Sequence, residues 1–561
     1  MGDGRPGDGG IEMGLRKKEP VVFILVTLTF GVLFYFVAYP LYAVFRESVM
    51  NDAGKFIGLG NYVQFIQSAY FRQVFYNTLF ISVIATAGAV IIGLIFAYGM
   101  TRTDLPLKSL FMITAILPMI TPPFINAFAL ILLLGRNGVI NVFLDRWLGV
   151  KWVIYGYHGV ILSEILTTFP LAYLILSAAF SGLDSTLEDS AQDLGARPWT
   201  VLRTVTLPLI TPAIMAATLM VFMTNLSAFG APALLGGGIS VLAVESVIQT
   251  LGVLDWGMGT TLSVILLIPS FLLFYFQNWY RAKRSYVTIT GAPAHTEIRK
   301  TPWRAKAPIL AFCLLLSAII LTTYLVIFLG GFSRVWGVDS SFTLNHYRLV
   351  FTNTLRSITN SVILSSVGAL LATILGLLMA YLLVRQNFLG RRAMDFLGTL
   401  PYAVPGTMMG LGFVVAFNKA PLILTGTAFI IVLDYGIRRM PFGLRSGVST
   451  LKQIDVAMEE ASADLGAPWV TTFRKIVLPL MKPAFIAGIT FAFIRAITEL
   501  TSTIFLVTPQ WRVMAVDIYN MVESGALGGA AAMSTLLMAI VVIILLIIYR
   551  VTGAAASMFR M

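Results

Sequence analysis

The chain has 561 residues, 58% hydrophobic and only 12% charged, with a mean hydropathy of +0.86, whereas soluble domains run at roughly 45–50% apolar and about 25% charged. A water-soluble core cannot hide that excess, and 12% aromatic residues with a single cysteine, Cys313, exclude a disordered chain and a disulfide scaffold as well. The net charge of +13, from 39 Lys+Arg against 26 Asp+Glu, does not indicate nucleic acid, because no basic stretch is interleaved with aromatics and the positive-inside rule gathers such residues in cytoplasmic loops.

In chain order, residues 1–20 form a Gly-rich, charged cytoplasmic tail ending near Arg16, Lys17 and Lys18. The apolar stretch Val21 to Phe45 exceeds the roughly 7–15 residue core of a secretory signal and reads as a retained membrane helix with the amino terminus inside. Stretches able to cross a bilayer of about 30 Å follow near 77–101, 109–134, 157–181, 208–232 and 258–280, completing a first six-helix domain over 21–280. Residues 281–306, with seven Lys or Arg in 26 positions, read as a cytoplasmic linker. The second domain, 307–561, repeats the pattern near 307–331, 359–384, 395–417, 424–447, 479–506 and 529–553. The expected fold is therefore all-α and polytopic: twelve transmembrane helices in two six-helix halves, with both termini cytoplasmic. Cys313 lies in an apolar run and reads as a buried, inert thiol.

The halves are repeats. At an offset of 283, Asn77, Ala97-Tyr98, Leu117-Pro118 and Pro122 fall on Asn360, Ala380-Tyr381, Leu400-Pro401 and Pro405. At an offset of 271, residues 188–213 face 459–484 with 12 identities in 26 positions. The common order and polarity imply parallel copies about an axis along the membrane normal, with the pathway between them. The duplicated segment lies in two loops, 182–207 and 450–478, and begins with acidic residues. In the first loop Leu187 to Leu194 can form a short helix carrying Glu188 and Asp189 in its first turn, ended by Gly195 in a left-handed conformation, with Pro208 and Pro212 starting the next helix.

These loops resemble the cytoplasmic signature of the permease subunits of type I binding-protein-dependent ABC importers. Glu460-Ala461-Ser462, Gly466 and Leu478-Pro479 match it in the second half, and Asp189-Ser190-Ala191, Gly195 and Leu207-Pro208 match it in the first, where Asp replaces the usual Glu. The resemblance implies that Glu188, Asp189, Ser190, Ala191 and Gly195, with Glu459, Glu460, Ala461, Ser462 and Gly466, contact a cytoplasmic ATP-binding subunit present in two copies. It also implies a periplasmic or lipid-anchored solute-binding protein and a bacterial inner-membrane location. Fusion of both halves in one chain is similar to ferric-iron importer permeases, whose relatives carry aminoethylphosphonate, thiamine, sugar phosphates or polyamines.

The chain lacks G-x-x-x-x-G-K-[ST], so no cofactor is expected in it, and ATP and Mg belong to the partner ATPase. With three histidines, His158, His295 and His346, and one thiol, no clustered metal ligands are expected. Nor does any nucleophile–base constellation point to an enzyme. The polar residues of the fifth helices mark the candidate pathway: Thr224, Asn225 and Ser227 in one half, Arg495, Thr498, Glu499 and Thr501 in the other. Arg495 and Glu499 read as an i,i+4 pair, serving either cargo or helix packing. Asp434, Arg438 and Arg439 interrupt the tenth span, facing an anionic partner or snorkelling to the interface. Proline-rich 117–124 and 400–408 suggest kinked third helices. An ion-gradient-driven transporter using Glu164 and Glu499 is the competing reading, and it leaves the duplicated loops unexplained.

Overall fold

The computed structural model of the protein describes residues 20–51, 54–283 and 301–552. The expected tail and most of the expected linker lie outside those residues. Within them the structure is almost wholly helical, and Ser333–Val335 pairs with Asp339–Phe342 as an antiparallel hairpin. Among the described residues nine helices are long and apolar enough to span a bilayer, or eleven when two sharply bent pairs each count as one span. The span expected near 109–134 falls instead on Ile125–Leu148, with Lys108–Ile120 a separate shorter helix, and the span expected near 424–447 is the helix Ala428–Gln453. Its first half carries Asp434, Arg438 and Arg439, so its composition alone does not mark it as membrane-spanning.

The third span is broken in both halves, where a kink was expected. Lys108–Ile120 stops before Pro122-Pro123, and Ile125–Leu134 begins a new helix. Arg391–Ala403 turns by 110° into Gly406–Phe417 at Pro405. The cause is local: proline lacks an N–H and pushes the preceding residue out of the helical region, and Thr121 (φ −103°, ψ 156°) and Val404 (φ −80°, ψ 128°) are both extended.

Each half is built on its second helix. Ala69–Arg102 packs along the fourth helix Tyr157–Ser181, and Leu355–Arg385 packs along Ala428–Gln453. Gly93 and Gly376 permit the close approach, since a Cβ would lie 2.8 Å from the Ala172 Cβ in one case and 2.6 Å from the Leu444 backbone nitrogen in the other. Small residues at such crossings substitute close van der Waals packing for the hydrophobic drive that lipid cannot supply.

The first helix of each half lies against the other half. Pro20–Glu47 packs on Gly406–Phe417, where Tyr35 and Tyr39 meet the Phe417 ring at 5.6 and 6.0 Å. Trp303–Gly330 packs on the broken third span of the first half, with Thr114 and Ser317 hydroxyls 2.9 Å apart and Thr121 at 2.9 Å from the Tyr324 hydroxyl. A polar clasp joins the halves beside this contact. Lys306 Nζ donates to Asp104 Oδ2 at 2.6 Å and the Thr301 N–H to Asp104 Oδ1 at 2.9 Å. The Lys306 bond, aided by the Thr301 N–H, pulls the Asp104 carboxyl down to about 2.

Candidate functional site

The duplicated loops fold alike. Each holds a short helix, Thr186–Asp193 or Ala457–Asp464, begun by an aspartate whose carboxylate accepts a backbone N–H two residues on: Asp184 from Thr186 and Asp455 from Ala457, both at 3.0 Å. Each ends at a left-handed glycine, Gly195 (φ 88°) or Gly466 (φ 77°). The N–H after the glycine returns to the last turn, Ala196 to Ala191 at 3.0 Å and Ala467 to Ser462 at 3.1 Å. The next helix starts at Pro198 in the first half, ten residues ahead of Pro208, and passes through a π-turn at Leu202–Thr206. The second half has the matching π-turn at Phe473–Val477 and a 64° bend between Val470–Leu480 and Lys482–Ile497. Pro208 and Pro479 supply no N–H to the preceding turn, consistent with its widening.

The two acids of each loop helix face different ways. Glu188 and Glu459 turn inward onto the ends of the second helices. Arg385 Nε donates to Glu459 Oε1 at 2.6 Å, and its Nη2 to the Ile454 carbonyl at 2.8 Å. Arg102 Nη1 lies 3.8 Å from Glu188 Oε2, and its Nη2 donates to the Leu183 carbonyl at 3.2 Å. Glu188 Oε1 also accepts from the Thr206 hydroxyl at 2.7 Å. All four charged side chains are nearly buried, with at most 12% of their surface exposed. Each loop helix is thereby pinned to the transmembrane helix that organises its half.

Asp189 and Glu460 remain on the exposed side with Ser190 and Ala461, while Ala191 and Ser462 are half-buried; the Ser462 hydroxyl meets that of Thr472 at 2.8 Å. Around them lies an apolar edge repeated at an offset of 271: Leu187 and Met458, Leu194 and Leu465, Trp199 and Val470. Leu194 and Leu465 are 90% and 88% exposed, so the same exposure is kept at equivalent positions of the two halves.

The polar residues of the second fifth-helix region gather where Gly406–Phe417 begins. Glu499 is buried and accepts from Arg438 Nη1 at 2.7 Å, from Arg439 Nη2, and from the Thr501 hydroxyl at 2.5 Å. The Ser502 hydroxyl donates to Asp434 Oδ2 at 2.6 Å and accepts from Arg438 Nη1 at 2.9 Å. Two expectations are corrected here. Arg495 is not the ion-pair partner of Glu499, because the helix ends at Ile497 and Glu499 swings to the tenth span. Asp434, Arg438 and Arg439 neither interrupt that helix nor snorkel; they lie within it, inside the protein. Arg495 instead stacks over the Phe491 ring at 5.7 Å. Thr498 is buried, its hydroxyl on the Ile494 carbonyl at 2.7 Å.

The first half is arranged differently. Thr224 is exposed, Ser227 half-buried, and Asn225 buried between the second and fourth helices. The amide orientation that satisfies every neighbour has its nitrogen 3.3 Å from both Glu164 Oε2 and Thr168 Oγ1, and its oxygen accepting from Thr86. Asn225 and Glu164 thus form a buried polar contact within the first half. Sequence reasoning separated Glu164 from Asn225 and missed the Asp184 and Asp455 turns, although aspartates two residues ahead of both helices were a readable signal.

Residues 89–286 and 372–556 each match the family described as the binding-protein-dependent transport system inner membrane component. The chain is 34% identical over 527 residues, 92% of its own length and 76% of the relative's, to a ferric transport system permease protein of Actinobacillus pleuropneumoniae. An Fe(3+)-transport system permease protein of Haemophilus influenzae is 24% identical, covering 82% of this chain and 87% of the relative. The molybdenum transport system permease protein of Escherichia coli is 33% identical over 154 residues, 28% of this chain and 67% of the relative.

Proposed function

The chain belongs to the family of binding-protein-dependent transport system inner membrane components, and from that premise we propose that it is the fused permease of an ATP-driven ferric-iron importer. It is a multi-pass inner-membrane protein whose role is transport. On this reading the loop helices and both termini face the cytoplasm, each loop helix docks one copy of an ATP-binding subunit that carries ATP and Mg, and the opposite end receives a solute-loaded binding protein.

The observation that carries the coupling role is the duplicated pinning: two short helices, each with an exposed apolar edge outward and an inward glutamate held by an arginine of a second helix. Motion imposed on Leu194, Trp199 and Asp189, or on Leu465, Val470 and Glu460, passes through Arg102–Glu188 or Arg385–Glu459 to the second helix. The fourth helix lies along the second, so the wall of the pathway moves with it. Closure of the ATPase pair would thus turn into rearrangement of both halves. The chain contributes the path and the linkage.

Ferric iron is favoured because two ferric transport relatives, 34% and 33% identical, align over 92% and 90% of the chain and so across both halves. The test is uptake of radiolabelled ferric iron into proteoliposomes holding this chain, its co-purified ATPase and the loaded binding protein. Uptake that requires ATP supports the reading. Uptake driven by an ion gradient without ATP refutes it, and ATP-driven uptake of another solute in place of iron refutes the substrate.

A further inference from the structure

The second half holds an excess of positive charge among its helices that the first half lacks. Arg438 and Arg439 both bind Glu499, and Asp434 is held by Ser502. Arg495 is a third guanidinium, close enough to Glu499 and Arg439 to interact with both, so the cluster of Asp434, Arg438, Arg439, Arg495 and Glu499 carries a net charge of +1 (three minus two). None of the Arg495 nitrogens has a hydrogen-bond or ion-pair partner among the described residues. At the offset of 271 the first half places Ser163, Thr167, Thr168, Thr224 and Ala228 where the second has Asp434, Arg438, Arg439, Arg495 and Glu499. Pro170 and Pro441 fix the same register. The constellation was therefore built into one wall only.

Arg495 is placed to meet something mobile. Its helix shows a half-exposed face through Ala487, Phe491 and Arg495, and the matching face of the first half ends in the exposed Thr224. An arginine open to hydrocarbon in mid-span would be costly, so this face lines a hydrated space. The Arg495 guanidinium lies over the Phe491 ring at 5.7 Å, and its unpartnered N–H groups are of the kind that bind oxyanions in a bidentate fork. Glu499 already accepts from Arg438, Arg439 and Thr501, so its single charge is shared among three guanidinium groups and the cluster stays positive.

We propose that Arg495 anchors an oxyanion station on the second-half wall of the pathway, taking an anion of the phosphate class, and that iron passes this point as an oxyanion complex. The last clause rests on the ferric reading; the station itself does not. A bare trivalent cation would be repelled by the uncompensated guanidinium, whereas a complex presenting oxygen anions would be attracted. The arrangement thus favours cargo that brings its own counter-charge.

The experiment is equilibrium binding of radiolabelled inorganic phosphate to the purified importer in phosphatidylcholine nanodiscs. The wild type is expected to show one saturable site, Arg495→Gln to bind at least about tenfold more weakly, and Arg495→Lys, which keeps the charge without the fork, to fall between them. Thermal unfolding confirms that each variant is folded. Equal binding by wild type and Arg495→Gln overturns the proposal. A lipid headgroup could supply the same phosphate chemistry, so the measurement is repeated with phosphatidylglycerol discs; displacement of phosphate there assigns the site to lipid and overturns the cargo station. Ferric uptake is measured separately. Intact, Arg495-dependent phosphate binding without ferric uptake removes iron as the cargo and leaves the station standing, whereas ferric uptake that is insensitive to phosphate and to Arg495→Gln overturns passage as an oxyanion complex.

Discussion

Breaking the Arg385–Glu459 bridge should uncouple ATP hydrolysis from transport without removing the protein from the membrane. The bridge is 2.6 Å long, both side chains are about nine-tenths buried, and Arg385 also holds the Ile454 carbonyl at the start of the loop. Removing one partner of a buried pair costs about 3–5 kcal/mol, since the other charge is left buried alone; residual exposure argues for the low end, about 3 kcal/mol. At about 1.4 kcal/mol per decade, that is a shift of more than about a hundredfold in the equilibrium between pinned and released loop helix. Glu459→Gln and Arg385→Gln should each retain basal ATPase activity in the reconstituted importer and lose most of the stimulation by loaded binding protein. The charge swap Arg385→Glu/Glu459→Arg should recover a substantial part. If the single variants stay fully coupled, or if the swap is no better than either single change, the pinning argument fails.

Other consequences follow from the same geometry. Gly466→Val places a β-branched residue at φ 77° with no heavy atom within 4 Å of its Cβ, so the penalty is backbone strain of about 1–2 kcal/mol; transport should fall while Gly466→Asn, which tolerates the left-handed region, stays near wild type in the same uptake assay. Leu465→Asp or Glu460→Lys should abolish co-purification of the ATPase at that half, read as a drop from two copies per chain toward one, and unchanged stoichiometry would rule out the docking edge. The Asp104 clasp has a carboxyl held at about 2 instead of 3.8, so its contribution is present above about pH 4 and is lost as pH falls toward 2. The stability gap between wild type and Asp104→Asn in thermal unfolding should be constant from pH 7 to about 5 and close below about 4. A gap that persists to pH 2 contradicts the ion pair.

Most of the architecture was legible because lipid imposes few choices: length and apolarity marked the spans, and repetition at two offsets marked the halves. Gly195 and Gly466 were readable because a helix stop followed by a glycine has one common backbone solution. The exchange of first helices was not readable. Their apolar surfaces suit either half, and partner choice rests on contacts such as Thr114 with Ser317 that are distant in sequence. Adjacent acids presented a similar ambiguity, because Glu188 and Asp189 lie about 100° apart on a helix and nothing local says which faces inward. The answer lay in Arg102 and Arg385, related by the offset of 283, and in Leu183 and Ile454, related by 271. Glu499 misled because i,i+4 pairing presumes a continuous helix, and this one ends two residues earlier.

The most direct test of the account is site-directed crosslinking at Leu194 and Leu465, the two exposed ends of the loop helices. The one native cysteine, Cys313, is buried, so Leu194→Cys and Leu465→Cys can each be labelled with a benzophenone maleimide in native membranes. The account predicts that both positions capture the same ATP-binding subunit, each with a yield that changes on addition of ATP. Capture at neither position, or capture of anything other than an ATPase, would contradict it.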